Sequence, residues 1–118
     1  MGKEREILSK IHLSEGDDLE EFVNAYDDLN ITSNIKEDFP KNYNKDKHEL
    51  YWTPLMIACK YARKIDPKLI KEIISRSNIN AQDNEGYTAL MLASIYSNDS
   101  SSENTVQMLL DTEANVNI

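Results

Sequence analysis

Apolar residues recur along this chain at helical spacing, in short runs. Leu55, Ala58, Cys59 and Ala62 stand at i, i+3, i+4 and i+7, one face of a helix. Thr53 ahead of them is a natural N-cap, and Pro54 fits the first helical position, where no backbone N–H is missed. The face is narrow and rich in small residues, which lets helices approach closely. Asp66-Pro67 opens a second helix by the same logic, and Leu69, Ile70, Ile73 and Ile74 give it a broad apolar stripe. Ser77-Asn78 is expected to end that helix, since asparagine tolerates the left-handed conformation. Residues 80–86 are polar, with Gly86 able to take the positive φ of a turn.

The plan returns further along. Thr88 caps a helix whose inward residues are Leu90, Ala93 and Ser94. A polar linker covers 97–102, where Ser100 and Glu103 are spaced as a capping box, and Val106, Leu109 and Leu110 form the next inward stripe. Near the N-terminus Ile7, Leu8 and Ile11 space as a short helix. Gly16-Asp17-Asp18-Leu19 opens another, with Leu19, Phe22, Val23 and Tyr26 on one side. Glu4, Arg5, Glu6, Glu20 and Glu21 suit a capping unit whose outer face stays polar. Residues 32–47, rich in Asn, Lys and Asp, are expected to form an insertion loop. Loops beyond about 12–15 residues are usually functional or disordered, and both readings are open.

The segment Thr53-Pro54-Leu55-Met56-Ile57-Ala58 is echoed 35 positions later by Thr88-Ala89-Leu90-Met91-Leu92-Ala93. A Thr-Pro-Leu-x-x-Ala phrase returning at about 33 residues resembles the ankyrin-repeat family. Asn78-Ile79-Asn80-Ala81-Gln82-Asp83 is similar to that family's connector, and Asn115-Val116-Asn117 repeats its phrase. The wording at 88–97 is similar to arrays of large DNA viruses. The resemblance implies an all-α solenoid of stacked helix-turn-helix units in one domain. It would comprise a divergent N-terminal capping repeat (4–31), the insertion loop (32–47), a second repeat (48–82) and a third (83–118) uncapped at its C-terminus. Several positions depart from the family pattern. Met56 and Met91 stand where a histidine usually ties repeats together. His48 and Tyr51 stand where Asp83 and Gly86 do in the next unit, and Glu113 takes the usual glycine C-cap. Ending at Ile118, the stripe around Leu109 is expected to be partly open: the chain is a fragment of a longer array, or that face meets another chain.

Charge narrows the partners. The net charge is −8 over 118 residues, with −6 in residues 1–51 and −2 in 52–118. Nucleic-acid backbones and anionic membranes repel such a chain, so neither is expected as a partner. The stretch from Lys60 to Arg76 is locally basic and reads as a solvated face, or as a dock for an acidic partner. No apolar run is long enough for a bilayer. The charged N-terminus lacks a signal peptide's apolar stretch, so an intracellular location is expected: cytoplasm or nucleus, or host cytoplasm if viral. Cys59, alone of its kind, can form no internal disulfide and reads as a small core residue.

Candidate chemistry is sparse. His12 and His48 are the only histidines, and neither has a sequence neighbour that suggests a triad. One cysteine and two histidines give no zinc spacing, and three scattered glycines give no phosphate loop, so no metal, cofactor or catalytic residue is expected. A small enzyme using surface acids or Cys59 is the remote alternative. The family resemblance implies a protein-interaction module whose contacts come from turn tips and the exposed side of the first helices. Carried over by position, these are Glu49, Leu50, Trp52, Lys60 and Tyr61 in the second repeat, and Asn84, Glu85, Tyr87, Ile95 and Tyr96 in the third. Trp52 and Tyr87 are equivalent, as are Tyr61 and Tyr96, so stacking would align two aromatic rows on a concave side. These rings are either binding anchors, Trp52 first among them, or packing between hairpins and helices. The alternative function is an adaptor or regulatory array within a larger protein, with possible self-association through the uncapped repeat.

Overall fold

The computed structural model describes residues 3–42, 51–98 and 103–112. Its helices are α1 (Lys3–Leu13), α2 (Leu19–Ala25), α3 (Ile35–Asp38), α4 (Pro54–Lys60), α5 (Pro67–Arg76), α6 (Ala89–Ile95) and α7 (Glu103–Asp111), with single 3-10 turns at Pro40–Asn42 and Ala62–Lys64. No strand occurs among the described residues. Local chemistry sets the helix starts. Thr53 is extended at φ −74° and its Oγ1 accepts the Met56 N–H at 3.3 Å, ahead of Pro54. Thr88 repeats this geometry at φ −93°, accepting the Met91 N–H at 3.3 Å without a proline. Asp66 accepts the Lys68 N–H at 2.9 Å before Pro67.

The helices pair as hairpins, α1 with α2, α4 with α5 and α6 with α7, and they stack in two layers, α4 on α6 and α5 on α7. The small-residue face explains the close stacking: Ala58 and Ala93 are both fully buried at matching positions of α4 and α6. Leu55, Ala58, Cys59 and Ala62 all lie in the core, and so do Met56 and Ile57. The helix α4 is therefore enclosed on more sides than one apolar stripe predicts, because it has a repeat on each side.

Several local expectations are corrected. Ser77, after α5, is extended rather than left-handed, and Asn78 has no positive φ. Left-handed backbone among the non-glycine described residues falls at Glu15 and Asp18, in the tight turn between α1 and α2. Gly86 does take positive φ, at +86°. Ser94 is exposed rather than inward, and so is Leu110, at 42 %. The inner positions of α7 are instead Thr105, Met108 and Leu109. His48, Ser100, Glu113 and residues 115–117 lie outside the described residues.

Where it is described, the expected insertion loop at 32–47 holds a helical turn and a 3-10 turn, Ile35–Asp38 and Pro40–Asn42. The α3 turn packs on α1, with Ile35 fully buried. Asn34 caps it by accepting the Glu37 N–H at 3.2 Å, and its own N–H reaches Ser9 Oγ at 2.8 Å. Asp38 accepts from Arg5 Nη2 at 2.6 Å, Arg5 Nε at 3.2 Å and Ser9 Oγ at 2.7 Å. The rest of the segment, 43–47, lies outside the described residues. The Arg5 guanidinium, reinforced by Ser9 against the opposing effect of burial, holds the Asp38 carboxyl below its ordinary value of 3.8. A depressed folded value means stability that is present above pH 3.8 and is lost as the pH falls through the folded value. Asp38→Asn is expected to lower the urea midpoint at pH 7, and the gap to the native chain should shrink well below pH 3.8. A gap that is the same at both pH values would refute this.

Candidate partner-binding surface

The turn before α6 is organised by one carboxylate. Asp83 Oδ1 accepts the backbone N–H groups of Glu85 at 2.8 Å and Tyr87 at 2.9 Å, and its N–H reaches the Tyr87 carbonyl at 2.9 Å. This is the side-chain-to-backbone pattern that aspartate favours in turns. Asp83 Oδ2 accepts the indole N–H of Trp52 at 2.9 Å. The turn of one repeat thus fixes the tryptophan of the repeat before it. Asn84 Oδ1 accepts the Tyr51 N–H at 2.9 Å across the same junction.

Trp52 is consequently core. It is 1 % exposed, it stacks on His12 at 4.8 Å between centroids and 12° between planes, and Ser33 bonds both residues. The Ser33 N–H donates to the Trp52 carbonyl at 2.8 Å, Ser33 Oγ accepts the Trp52 N–H at 3.2 Å, and Oγ lies 2.8 Å from His12 Nδ1. The expectation that Trp52 stands out as the main anchor is therefore corrected. Tyr61 is also buried, at 7 %, and burial, with Glu15 and Tyr96 adding to it, pushes its hydroxyl up to about 12. The His12–Ser33 pair, made across 21 positions, is invisible to sequence spacing. Both residues are buried, and the pair joins α1 to the segment before α3.

The other expected contact residues divide. Glu49 and Leu50 lie outside the described residues. Asn84, Glu85, Tyr87 and Ile95 are exposed, with Tyr87 at 38 % and Ile95 at 56 %. Lys60 and Tyr96 are half-buried. Lys60 Nζ lies 4.6 Å from the Tyr96 ring centroid, 5.2 Å from Tyr61 and 5.5 Å from Trp52, distances at which a cation is attracted to each ring face. Three of the four rings of the sequence reading thus gather at one cation: Trp52 and Tyr61 are buried, Tyr96 is half-buried, and Ile95 is beside it in the chain. The exposures of Trp52 and Tyr87 differ although the positions are equivalent. Trp52 has Asp83 31 residues on, whereas the same step from Tyr87 reaches Ile118, which has no side-chain acceptor and lies outside the described residues.

Spacing also missed Arg76. Its Nη1 donates to the Val23 carbonyl at 3.0 Å, and its Nη2 to those of Tyr26 at 2.7 Å and Asp27 at 3.3 Å. Glu72 steadies it at 3.0 Å. It caps the end of α2, which has no basic residue of its own in its last turn. That missing cation was the available signal. Lys64 bridges to Asp17 at 3.0 Å, and Arg63 donates to the Ser97 carbonyl at 3.2 Å. Much of the stretch that reads as a basic face therefore ties repeats together.

Cys59 is fully buried, and desolvation raises its thiol to about 12. A thiol so held has almost no thiolate at pH 8. Native protein is expected to resist an aromatic disulfide reagent, and denatured protein to react with one equivalent. Rapid stoichiometric labelling of native protein would contradict the packing. Among the described residues no cluster of His, Cys, Asp and Glu could hold a metal ion, and no helix is long and apolar enough to cross a membrane.

Comparison with known proteins matches this architecture. A family model described as "Ankyrin repeats (3 copies)" matches residues 21–118. A protein of Acanthamoeba polyphaga mimivirus, named as an ankyrin repeat protein, is 44 % identical over 86 residues, covering 68 % of this chain and 15 % of the relative. The chain thus spans about 15 % of that relative's length. The resemblance to viral arrays is supported by this relative. With its capped helical hairpins stacked in two layers and the family match over most of its length, this chain belongs to the ankyrin-repeat family.

Proposed function

We propose that this chain is a protein-interaction module that engages its partner through Tyr87, Ile95, Tyr96 and Lys60, flanked by the turn-tip residues Asn84 and Glu85. Ankyrin repeats are generally protein–protein interaction modules. The observation that carries the reading is Ile95, a branched apolar residue left 56 % exposed on a helix whose other apolar positions are mostly buried. Tyr96 follows it in sequence with Lys60 over its ring, so apolar, aromatic and cationic groups converge. The rigid stack beneath limits the ordering cost of association. Glu49 and Leu50 belong to the proposed surface by position alone.

The test uses Ile95→Asp and Tyr87→Ala. Both residues are exposed, so helical content should hold, while affinity for a partner captured by the native chain falls at least about tenfold, as for a residue that dominates an interface. Unchanged affinity with intact helices would refute the surface. A second reading, an array that tethers a substrate within a larger protein, draws on the small share of the relative that the chain spans. Leu110, exposed on α7, and a cleft of about 310 Å³ lined by Lys71, Ile74 and Met108 would then be covered by another surface. Sedimentation at rising concentration tests whether that surface is a second copy: a monomer throughout would remove self-association.

A further inference from the structure

A cleft of about 550 Å³ opens between the start of α1 and the segment after α2. Tyr26 and Ile31 give it an apolar wall, both half-buried and packed against the core. Glu4, Asp27 and Asp28 surround it with three carboxylates, and among the described residues none of them is in an ion pair. Among the described residues Arg5 is the one cation in the lining, and it is already engaged by Asp38 and Glu37. The half of the chain that holds this cleft carries −6 of the net −8, so the surrounding field draws cations toward it.

The rim is fixed in advance. Arg76 grips the carbonyls of Tyr26 and Asp27, and the Tyr26 ring leans on Phe22 at 4.9 Å. Asp28 Oδ1 accepts the Asn30 N–H at 2.9 Å, and Asn30 Oδ1 accepts the Asn78 N–H at 2.8 Å, tying this segment to the next repeat. Little order remains to be imposed on binding. An apolar wall ringed by carboxylates matches a flat, weakly hydrated cation on an aliphatic stem. That describes arginine; lysine's compact ammonium holds its water more tightly.

We propose that this cleft receives an arginine side chain from a segment of a partner protein. It uses none of the residues of the Ile95 surface, so the two readings fail separately. The isotope-labelled chain would be titrated with the peptide acetyl-Gly-Leu-Arg-Gly-amide while amide shifts are followed by NMR. A second peptide carries citrulline in place of arginine, with the same shape and no charge. Saturable shifts are expected at Glu4, Arg5 and residues 26–32, with the citrulline peptide at least about tenfold weaker, since charge-assisted bonds would be lost. The double variant Asp27→Asn/Asp28→Asn keeps an acceptor for the Asn30 N–H and should also bind at least about tenfold more weakly. Ile95→Asp should bind the peptide as the native chain does. The proposal is overturned by equal binding of the citrulline peptide, by shifts spread over other acidic faces such as Glu20 and Glu21, or by no saturable shift. Shifts of the same amides on concentrating the chain alone would give the cleft to a second copy, and would also overturn it.

Discussion

Trp52→Ala is expected to destabilise the fold by about 3–5 kcal/mol, the range for removing a large aromatic side chain from a core. For a domain this small that is a large part of its total stability, so urea unfolding should start near zero denaturant. The size of the effect follows from what the indole holds. It fills space between repeats at 1 % exposure, stacks on His12, lies under Lys60, and gives its N–H to Asp83. Trp52→Phe separates these contributions. It keeps most of the ring but leaves Asp83 Oδ2 without its donor, an expected cost of about 1–3 kcal/mol. A midpoint for Trp52→Ala within experimental scatter of the native value would show that the indole does not join the repeats. Trp52→Ala is also a poor test of binding, because loss of partner would follow from loss of fold. Tyr87 and Ile95 test binding without that ambiguity.

Arg76→Ala is expected to cost about 2–3 kcal/mol, the range for truncating a charged donor whose acceptors lose their partner. Three carbonyls at the end of α2 depend on this guanidinium, and its side chain is only 28 % exposed. Arg76→Lys should recover less than half of the loss, since one ammonium cannot reproduce a planar fork. Amide exchange gives the specific readout: protection should fall first in α2 and in residues 26–30, ahead of α6 and α7. Uniform loss of protection would mean that Arg76 supports the molecule generally rather than the first junction.

Legibility differed between elements for physical reasons. The helices α4, α5 and α6 were readable because their starts are local: a threonine or aspartate side chain bonds an N–H two or three residues on. The α3 turn was not, because a single apolar residue, Ile35, anchors an otherwise polar run, and its stability comes from Arg5 and Ser9 about 30 positions away. The candidate surface was half legible. Position within the repeat pointed to Tyr87, Ile95 and Tyr96, but could not distinguish Trp52 from Tyr87, since what buries Trp52 comes from His12, Ser33 and Asp83 in other units. On α7 helical spacing allows two neighbouring inward stripes, and Leu110 falls outside the one that is buried.

By itself the amino-acid sequence determined the repeat, its period of 35, the capped helix starts and the small residues at 58 and 93. These depend on bonds and steric limits within a few residues, so they are written in order along the chain. Tertiary structure alone decided which aromatic rings lie inside, which basic side chains join repeats, and which carboxylates are left to face solvent. Those outcomes depend on groups some 20 to 50 positions apart meeting in space, and burial belongs to the neighbour as much as to the residue.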